Sequence, residues 1–471
     1  MSFEAKFIHD ANEKAGDLRH RAVLQKSIGN YSAKVAATKA SFLDWNHGRD
    51  LARKRKWEAI NHLDKYLEEF EFNAKKNGTV VHWAEDASEA RSIILDLCKT
   101  KGVRKVVKSK SMVTEEIHLN EFLEEHEITP IESDLGEYIV QLRREPPYHI
   151  VTPVMHLTKE DIDQTFHEKL GTPKGSTAEE LATTARRVLR SEYLTADMGI
   201  TGANFIIAET GMISLTENEG NARLSSSLPR IHVAICGIEK VLPRLEDLAL
   251  FLPMLAVSGT GQQLTCYNTM IGGPRQTHET DGPEEFHVIL LDNGRTKLLA
   301  DPEQREALHC IRCGACLNAC PVFRNVGGHA YHTTYQGPIG SVITPHLRDL
   351  EEWNHLSYAS SLCGACTEVC PVHIDLHRHL LQNRRNAVHS GYSSWIERLS
   401  FQIWSMAMQS EKAYNLSTHI LRFGQKLFRI LGVENSPLSP LHRWSQSRTL
   451  PQIPEETFRA WWKKRNVEIG R

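Results

Sequence analysis

The chain has 471 residues, with 56 Lys and Arg against 58 Asp and Glu, a formal charge of −2. A length well above the roughly 250–300 residues that one core supports implies at least two compact units, and the near-neutral balance supplies no basic field to hold phosphate backbones, which sets nucleic acid aside. With 41% hydrophobic and 24% charged residues, the composition fits packed globular structure rather than a disordered chain or a set of membrane spans.

The chain opens with MSFEAKFIHDANEKAGDLRHR, which lacks the apolar core of a secretory signal, and no window approaches 18 uninterrupted apolar residues. A cytoplasmic location is expected. Residues 1–76 are rich in Ala, Lys, Glu and Leu, with Trp57, Ile60, Leu63, Leu67 and Phe70 at helical spacing, so a helical N-terminal segment is predicted. From Thr79 the texture alternates: TVVHWA, helical ASEARSIILDLCKT, VRKVVKSKS, VTEEIHLNEFLEEH and ITPIES. Strand-like runs followed by helix-like ones predict an α/β domain on a largely parallel sheet. Further apolar runs, ANFIIAETGMISLT, IHVAICGIEKVL and FHVILLD, extend it to about residue 299.

Residues 300–390 place short Cys-rich loops among helical stretches, and 391–471 carry Trp395, Trp404, Trp444, Trp461 and Trp462 around a Pro-containing stretch. This last region reads as two helices and a tail. Its aromatic content suits a docking segment, although aromatic residues at helical spacing ordinarily form core.

Seven of the ten cysteines fall between Cys310 and Cys370, a clustering that points to metal rather than to a disulfide framework. The string C-G-A-C-x-x-x-C-P-V occurs at Cys313 and again at Cys363, and the first copy, with Cys310, reads C-x₂-C-x₂-C-x₃-C-P. Three thiolates of such a loop take three irons of a cubane cluster while the fourth Cys turns to the other cluster. Cluster 1 is therefore expected on Cys310, Cys313, Cys316 and Cys370, and cluster 2 on Cys320, Cys363 and Cys366. The position matching Cys310 in the second copy is 310 + 50 = 360, which is Ser360. Three outcomes stay open for the odd iron: a [4Fe-4S] cluster with Ser360, a histidine, water or a partner's group as fourth ligand; a [3Fe-4S] cluster; or a ligand from far along the chain. Zinc prefers two separated C-x₂-C pairs, and one thioredoxin-like redox pair does not explain seven ordered thiols. Cys98 and Cys236 read as buried packing residues, and Cys266 lies in a polar loop. The 42 residues between Cys320 and Cys363 suggest, by analogy, a helical ferredoxin arrangement.

Together, GANFIIAETGMISLTENEGNARLSSSLPRIHVAICGIEKVLP, SGTGQQLTCYNT, HCIRCGACLNACPVF, SSLCGACTEVCPVHI and ETFRAWWKKR resemble the lactate utilization protein B family over nearly the whole chain. The resemblance implies iron–sulfur electron transport during oxidation of L-lactate to pyruvate in a multi-component complex. It implies a cysteine-rich iron–sulfur partner and a smaller partner similar to the α/β domain, whose fold resembles the sugar-isomerase and CoA-transferase superfamily. That family also carries three cysteines in its second motif. Peripheral placement at the inner face of the membrane is compatible with this reading. The immediate acceptor and any catalytic residue are unassigned.

In the α/β region, Glu209-Thr210-Gly211 and Thr216 to Asn221 follow strand-like runs near an expected ligand-bearing sheet edge. A carboxylate there could serve as base or nucleophile, but ordinary turn chemistry is favoured. Gly259 to Gln263 is a weak candidate for an anion cradle. Arg223, Arg230 and Arg275 could clamp a carboxylate, with surface ion pairs as the plainer reading. His309, His329, His332, His373, His377 and His379 surround the cysteine module; they could tune or complete a cluster, but solvated helix positions are the ordinary expectation. Besides an electron-transfer subunit, two alternatives are a hydroxy-acid enzyme acting through an open iron and an assembly scaffold with structural clusters.

Overall fold

The computed structural model describes residues 1–431, 448, 453–454 and 456–468. Its contacts divide between Ser390 and Gly391 into two units.

The first unit opens with four helices, α1 (Phe3–Gly16), α2 (Leu18–Lys39), α3 (Trp45–Asn61) and α4 (Leu63–Lys76). The α/β region follows as β1 (Val80–Ala84), α5 (Ala87–Lys101), β2 (Lys105–Lys108), α6 (Met112–Glu116), α7 (Leu119–Glu125), β3 (Thr129–Glu132), α8 (Leu135–Arg143), α9 (Lys159–Leu170), α10 (Ala178–Thr195) and β4 (Met198–Thr201). It continues as β5 (Phe205–Ile207), β6 (Met212–Glu217), α11 (Asn221–Ser227), β7 (Ile231–Gly237), β8 (Val241–Leu242), α12 (Leu248–Thr260), β9 (Tyr267–Ile271) and β10 (Glu285–Leu291). Local chemistry sets the boundaries. Asp86 caps α5 by accepting from the Glu89 N–H at 2.9 Å, and the helix stops at Gly102 in the left-handed region.

Six strands form a sheet in the order β1-β10-β7-β4-β2-β3, every pair parallel. Central β7 is buried along its whole length. Its Ile231, Val233 and Ile235 pack with α5 residues such as Ile94 and Cys98, while Ala234 and Cys236 face α4 residues including Leu67 and Phe70. Coverage on both faces explains the near-continuous apolar run. The run ANFIIAETGMISLT does not join this sheet. It folds into the antiparallel β5–β6 hairpin of a separate mixed sheet, ordered β8-β5-β6-β9. Alternating apolar residues cannot distinguish membership of one sheet from membership of two.

The cysteine module contains α13 (Arg295–Ala300), α14 (Ala315–Ala319), α15 (Phe323–Val326), α16 (Gly337–Leu347), α17 (Leu350–Trp353), α18 (Ala365–Val369) and α19 (Leu376–His389). It shares one core with the N-terminal helices and α12: Leu24, Ile28, Ile60 and Phe251 belong to the same buried cluster as Leu317, Phe323, Ile339 and Leu380. Phe3 of α1 stacks on Trp353 at 4.3 Å between ring centroids. The N-terminal helices thus bury their apolar stripes against the cysteine module as well as the α/β region.

The second unit contains α20 (Trp395–Met408), α21 (Glu411–Ile430) and a last helix, Phe458–Glu468. Neither α20 nor α21 buries any residue, and Trp395 and Trp404 are 67% and 58% exposed. The expectation that these aromatic residues form core is therefore corrected: the described helices provide no second layer to cover them. Trp461 and Trp462 are also exposed and gather with Phe458. Trp444 lies outside the described residues. Among the described residues, no helix is long and apolar enough to cross a membrane.

Candidate iron–sulfur centre

The two cysteine loops are built alike. Residues 50 apart share unusual backbone: Arg312 and Leu362 at φ 62° and 54°, and Gly314 and Gly364 at φ 77° and 82°. Each left-handed glycine starts a one-turn helix, α14 or α18, and these two helices pack together. Their C-terminal carbonyls are met by matching guanidiniums. Arg324 Nε donates to Asn318 O at 2.6 Å, and Arg49 Nη2 donates to Glu368 O at 2.6 Å. Arg49 Nε also donates to Cys370 O at 2.9 Å.

Packing of α14 on α18 crosses the sulfurs between loops. Cys310, Cys313, Cys316 and Cys370 line one small cavity walled by Ile311, Ile339, Val372 and Ile374. Cys320 instead lies within electrostatic reach of Cys363 and Cys366. Burial pushes the thiols of Cys313 and Cys316 up, and those of Cys370 and Cys366 to about 12 and about 11. Metal binding would displace those protons. Cys363 is the exception: it is exposed, and the Ala365 N–H holds its thiol below the ordinary value.

An all-sulfur donor set in two groups fits iron–sulfur clusters. Among the described residues, no three cysteine sulfurs lie within 4.8 Å of one another. A tetrahedral zinc with bonds of about 2.3 Å would draw them to about 3.8 Å. Sulfur atoms also accept backbone N–H groups, Arg312 to Cys310 and Ile374 to Cys370, both at 3.4 Å. At the matching place, Ser360 Oγ accepts the Leu362 N–H at 3.1 Å. The serine thus reproduces the local role of Cys310 with an oxygen in place of sulfur.

Sequence comparison agrees with this organisation. Residues 67–291 match the LUD domain, 306–374 the 4Fe-4S dicluster domain, and 382–467 the C-terminal region of lactate utilisation protein B. Lactate utilization protein B of Shouchella clausii is 45% identical over 90% of both chains, and that of Oceanobacillus iheyensis is 42% identical over 96% of this chain and 97% of its own. The chain belongs to the lactate utilization protein B family. Another similar protein, the uncharacterized electron transport protein YkgF of Escherichia coli, is 38% identical over 95% of this chain and 94% of its own. A solved structure of a duf162 family protein from Deinococcus radiodurans has 17% identity and a TM-score of 0.26, covering 49% of this chain and 98% of its own. That score is too low to bear on the fold.

The cysteine module of this lactate utilization protein B family member is thus an iron–sulfur domain. Several of the other candidate groups have structural roles. Glu209-Thr210-Gly211 is the β5–β6 turn, fastened to α4 by Asn73 and Asn77, while Glu209 accepts the Leu245 N–H. Both oxygens of Glu217 accept N–H groups from Ala222 and Arg223 at the start of α11. Gly259 to Gln263 ends α12, with Gly261 as its left-handed cap; a helix C-terminus presents carbonyls, so the anion cradle is corrected. Arg230 pairs with Glu285 and Arg275 with Glu284, so no clamp with Arg223 forms. Cys98 and Cys236 are buried in core clusters, and Cys266 is exposed.

The histidines around the module are largely engaged. His332 pairs with Asp10 at 2.7 Å, His373 with Asp50 at 3.3 Å, His377 with Asp375 at 2.9 Å and His379 with Glu306 at 3.4 Å. His329 Nε2 meets Pro146 O at 2.8 Å, and His309 is buried with Nδ1 unpartnered. Sequence reading missed Arg312, between Cys310 and Cys313. Its Nη2 reaches Glu239 at 3.2 Å, and its guanidinium lies over the Tyr335 ring at 4.6 Å. The signal was a cation inside the thiolate loop together with Glu239-Lys240 just beyond a buried strand.

Proposed function

We propose that this chain is an iron–sulfur electron-transfer protein in the oxidation of L-lactate to pyruvate. It works in the cytoplasm as a subunit of a multi-component lactate utilization complex, with a cysteine-rich iron–sulfur partner and a smaller α/β partner. The assignment of lactate rests on the family relatives. Electron transfer rests on one observation: Cys370 of the second loop joins Cys310, Cys313 and Cys316 around one cavity, while Cys320 of the first lies within electrostatic reach of Cys363 and Cys366. Cys310, Cys313, Cys316 and Cys370 would hold cluster 1, and Cys320, Cys363 and Cys366 would hold cluster 2, with Ser360 at the missing thiolate position. When bound, such clusters take up and release single electrons at potentials set by hydrogen bonds, charge and exposure.

The protein's groups differentiate the two pockets. Around the first, apolar side chains line the sulfurs, two N–H groups reach sulfur, and the Lys39 and Arg49 charges act on Cys313 and Cys370. The second opens to solvent at Cys363, which suits exchange with a partner carrier. The α/β region is read as related to the sugar-isomerase and CoA-transferase fold; its parallel sheet with helices on both faces supports that reading.

Anaerobic iron and sulfide counting with EPR on Cys370→Ala and Cys320→Ala tests the assignment. The first variant is expected to lose cluster 1 and retain cluster 2, and the second the reverse. Loss of the same cluster from both variants, or colourless protein holding zinc, would reject it.

A further inference from the structure

The carboxyl ends of β2, β3 and β4 open onto a cavity of about 500 Å³, within the range of small-molecule sites. Ser109 to Val113 follow β2 into it, Asp134 to Gly136 follow β3, and Gly202 to Asn204 follow β4. Ligands of open parallel sheets bind at such ends. The opposite wall belongs to the cysteine module: Arg312 and Cys313 line this cavity, and Cys313 and Ile150 also line the sulfur pocket of cluster 1. The two spaces thus share Ile150 and Cys313 as wall residues.

The cavity contains cations without full partners. Lys240 is 6% exposed and lines it, and among the described residues its ammonium makes no hydrogen bond or ion pair. Arg312 uses Nη2 on Glu239, but its buried Nη1 has no partner. Glu239 cannot neutralise the group alone, because its other oxygen is held by Arg295. Lys110, on the same wall, donates to Ile150 O. Besides Glu239, the charge that acts on both cations is the Cys310 sulfur, and the unpartnered Nη1 of Arg312 leaves room for a further counter-charge in the cavity.

The acidic side is already committed. Glu217 has both oxygens on backbone N–H groups, Asp134 accepts from Glu137 at 3.1 Å, and Glu219 accepts from Leu135 at 2.9 Å through Oε2 alone. Glu219, at the exposed rim, retains a second oxygen for a ligand's hydroxyl. A ligand bridging these walls therefore has an anionic end and a hydrogen-bond-donating end.

We propose that this cavity binds a small 2-hydroxy carboxylate, with its carboxylate between Lys240 and Arg312 and its hydroxyl toward Glu219, against the loop of cluster 1. The anion site rests on the geometry, and the carboxylate class rests on the proposed role in lactate oxidation. No bond is made or broken in this binding step.

The test uses the full chain with its clusters reconstituted anaerobically, titrated calorimetrically with L-lactate, pyruvate and inorganic phosphate. L-lactate should bind saturably and more tightly than phosphate. Lys240→Met should weaken it at least tenfold while iron and sulfide contents stay at the wild-type level. Glu219→Gln should weaken L-lactate more than pyruvate, which lacks the hydroxyl. Absence of saturable lactate binding, equal binding of phosphate, or loss of iron from Lys240→Met would overturn the proposal, the last showing that the cation serves the cluster. If Lys240→Met does not fold, the wild-type titrations and Glu219→Gln decide. Failure here with both clusters intact leaves the electron-transfer reading standing, because the Cys370 and Cys320 variants test that separately.

Discussion

Glu239 joins the α/β region to the first cysteine loop by accepting from Arg312 at 3.2 Å, while its other oxygen accepts from Arg295. Burial alone would raise this carboxyl, but the Arg295 and Arg312 charges hold it down to about 2. The ammonium of Lys56 also donates to the Glu239 carbonyl at 2.5 Å. Glu116 completes the network, pairing with Arg295 at 2.8 Å and accepting from Tyr335 at 2.6 Å. Removing one charge from a buried pair leaves its partner uncompensated, at a cost of about 3–5 kcal/mol. Glu239→Gln should therefore lower unfolding free energy by about that amount in denaturant titrations. It should also shed iron from cluster 1 before cluster 2.

Ser360 offers an independent test of the second pocket. Its Oγ already occupies the hydrogen-bonding place that Cys310 Sγ fills in the first loop. Ser360→Cys should supply the missing thiolate without moving the backbone. Wild-type protein treated with a chelator is expected to lose one iron per chain more readily than the others. The cysteine variant should retain it, as measured by iron content and the EPR spectrum before and after treatment.

His232 supplies a pH dependence in the parallel sheet. It is fully buried, meets Thr201 Oγ1 at 2.9 Å and stacks on Phe286, and desolvation pushes its pKa down to about 3. The unfolded chain takes up this proton near pH 6.5, whereas the folded chain resists until about 3. Stability from this residue is therefore present above pH 6.5 and falls as pH drops toward 3, by about 1.4 kcal/mol per unit. His232→Asn should reduce the slope of unfolding free energy between pH 6 and 4.5 by about that amount.

Gly327 marks where the module closes on residue Tyr148. It has φ 72°, and an added Cβ would meet the Tyr148 hydroxyl at 1.4 Å. That hydroxyl is held by His20 Nε2 at 2.7 Å. Gly327→Ala combines left-handed strain with overpacking and should destabilise by about 3 kcal/mol. A lowered thermal midpoint with L-Ala, compared with wild type, is the measurement.

The cysteine spacing and the 50-residue repeat were legible because cluster ligation imposes a local pattern on the chain. The parallel strands were also legible from runs such as IHVAICG, buried on both sides. The mixed sheet was not, because Phe205–Ile207 and Met212–Glu217 have the same apolar texture whichever sheet receives them. Lys240 and Arg312 escaped notice for another reason. Their meeting at one cavity depends on contact between residues more than 70 positions apart, which no local period records.

Exposure of Cys363, set against the buried Cys313, Cys316 and Cys370 of the first pocket, makes damage by air an ordered process. Oxidants reach accessible thiolate first, so the surface centre should act as a sacrificial fuse and disconnect the chain from external carriers before its interior is harmed. Inactivation by brief aeration should accordingly be repairable by a thiol reductant, which returns the oxidised cysteine to thiolate, together with iron and sulfide, without refolding the polypeptide.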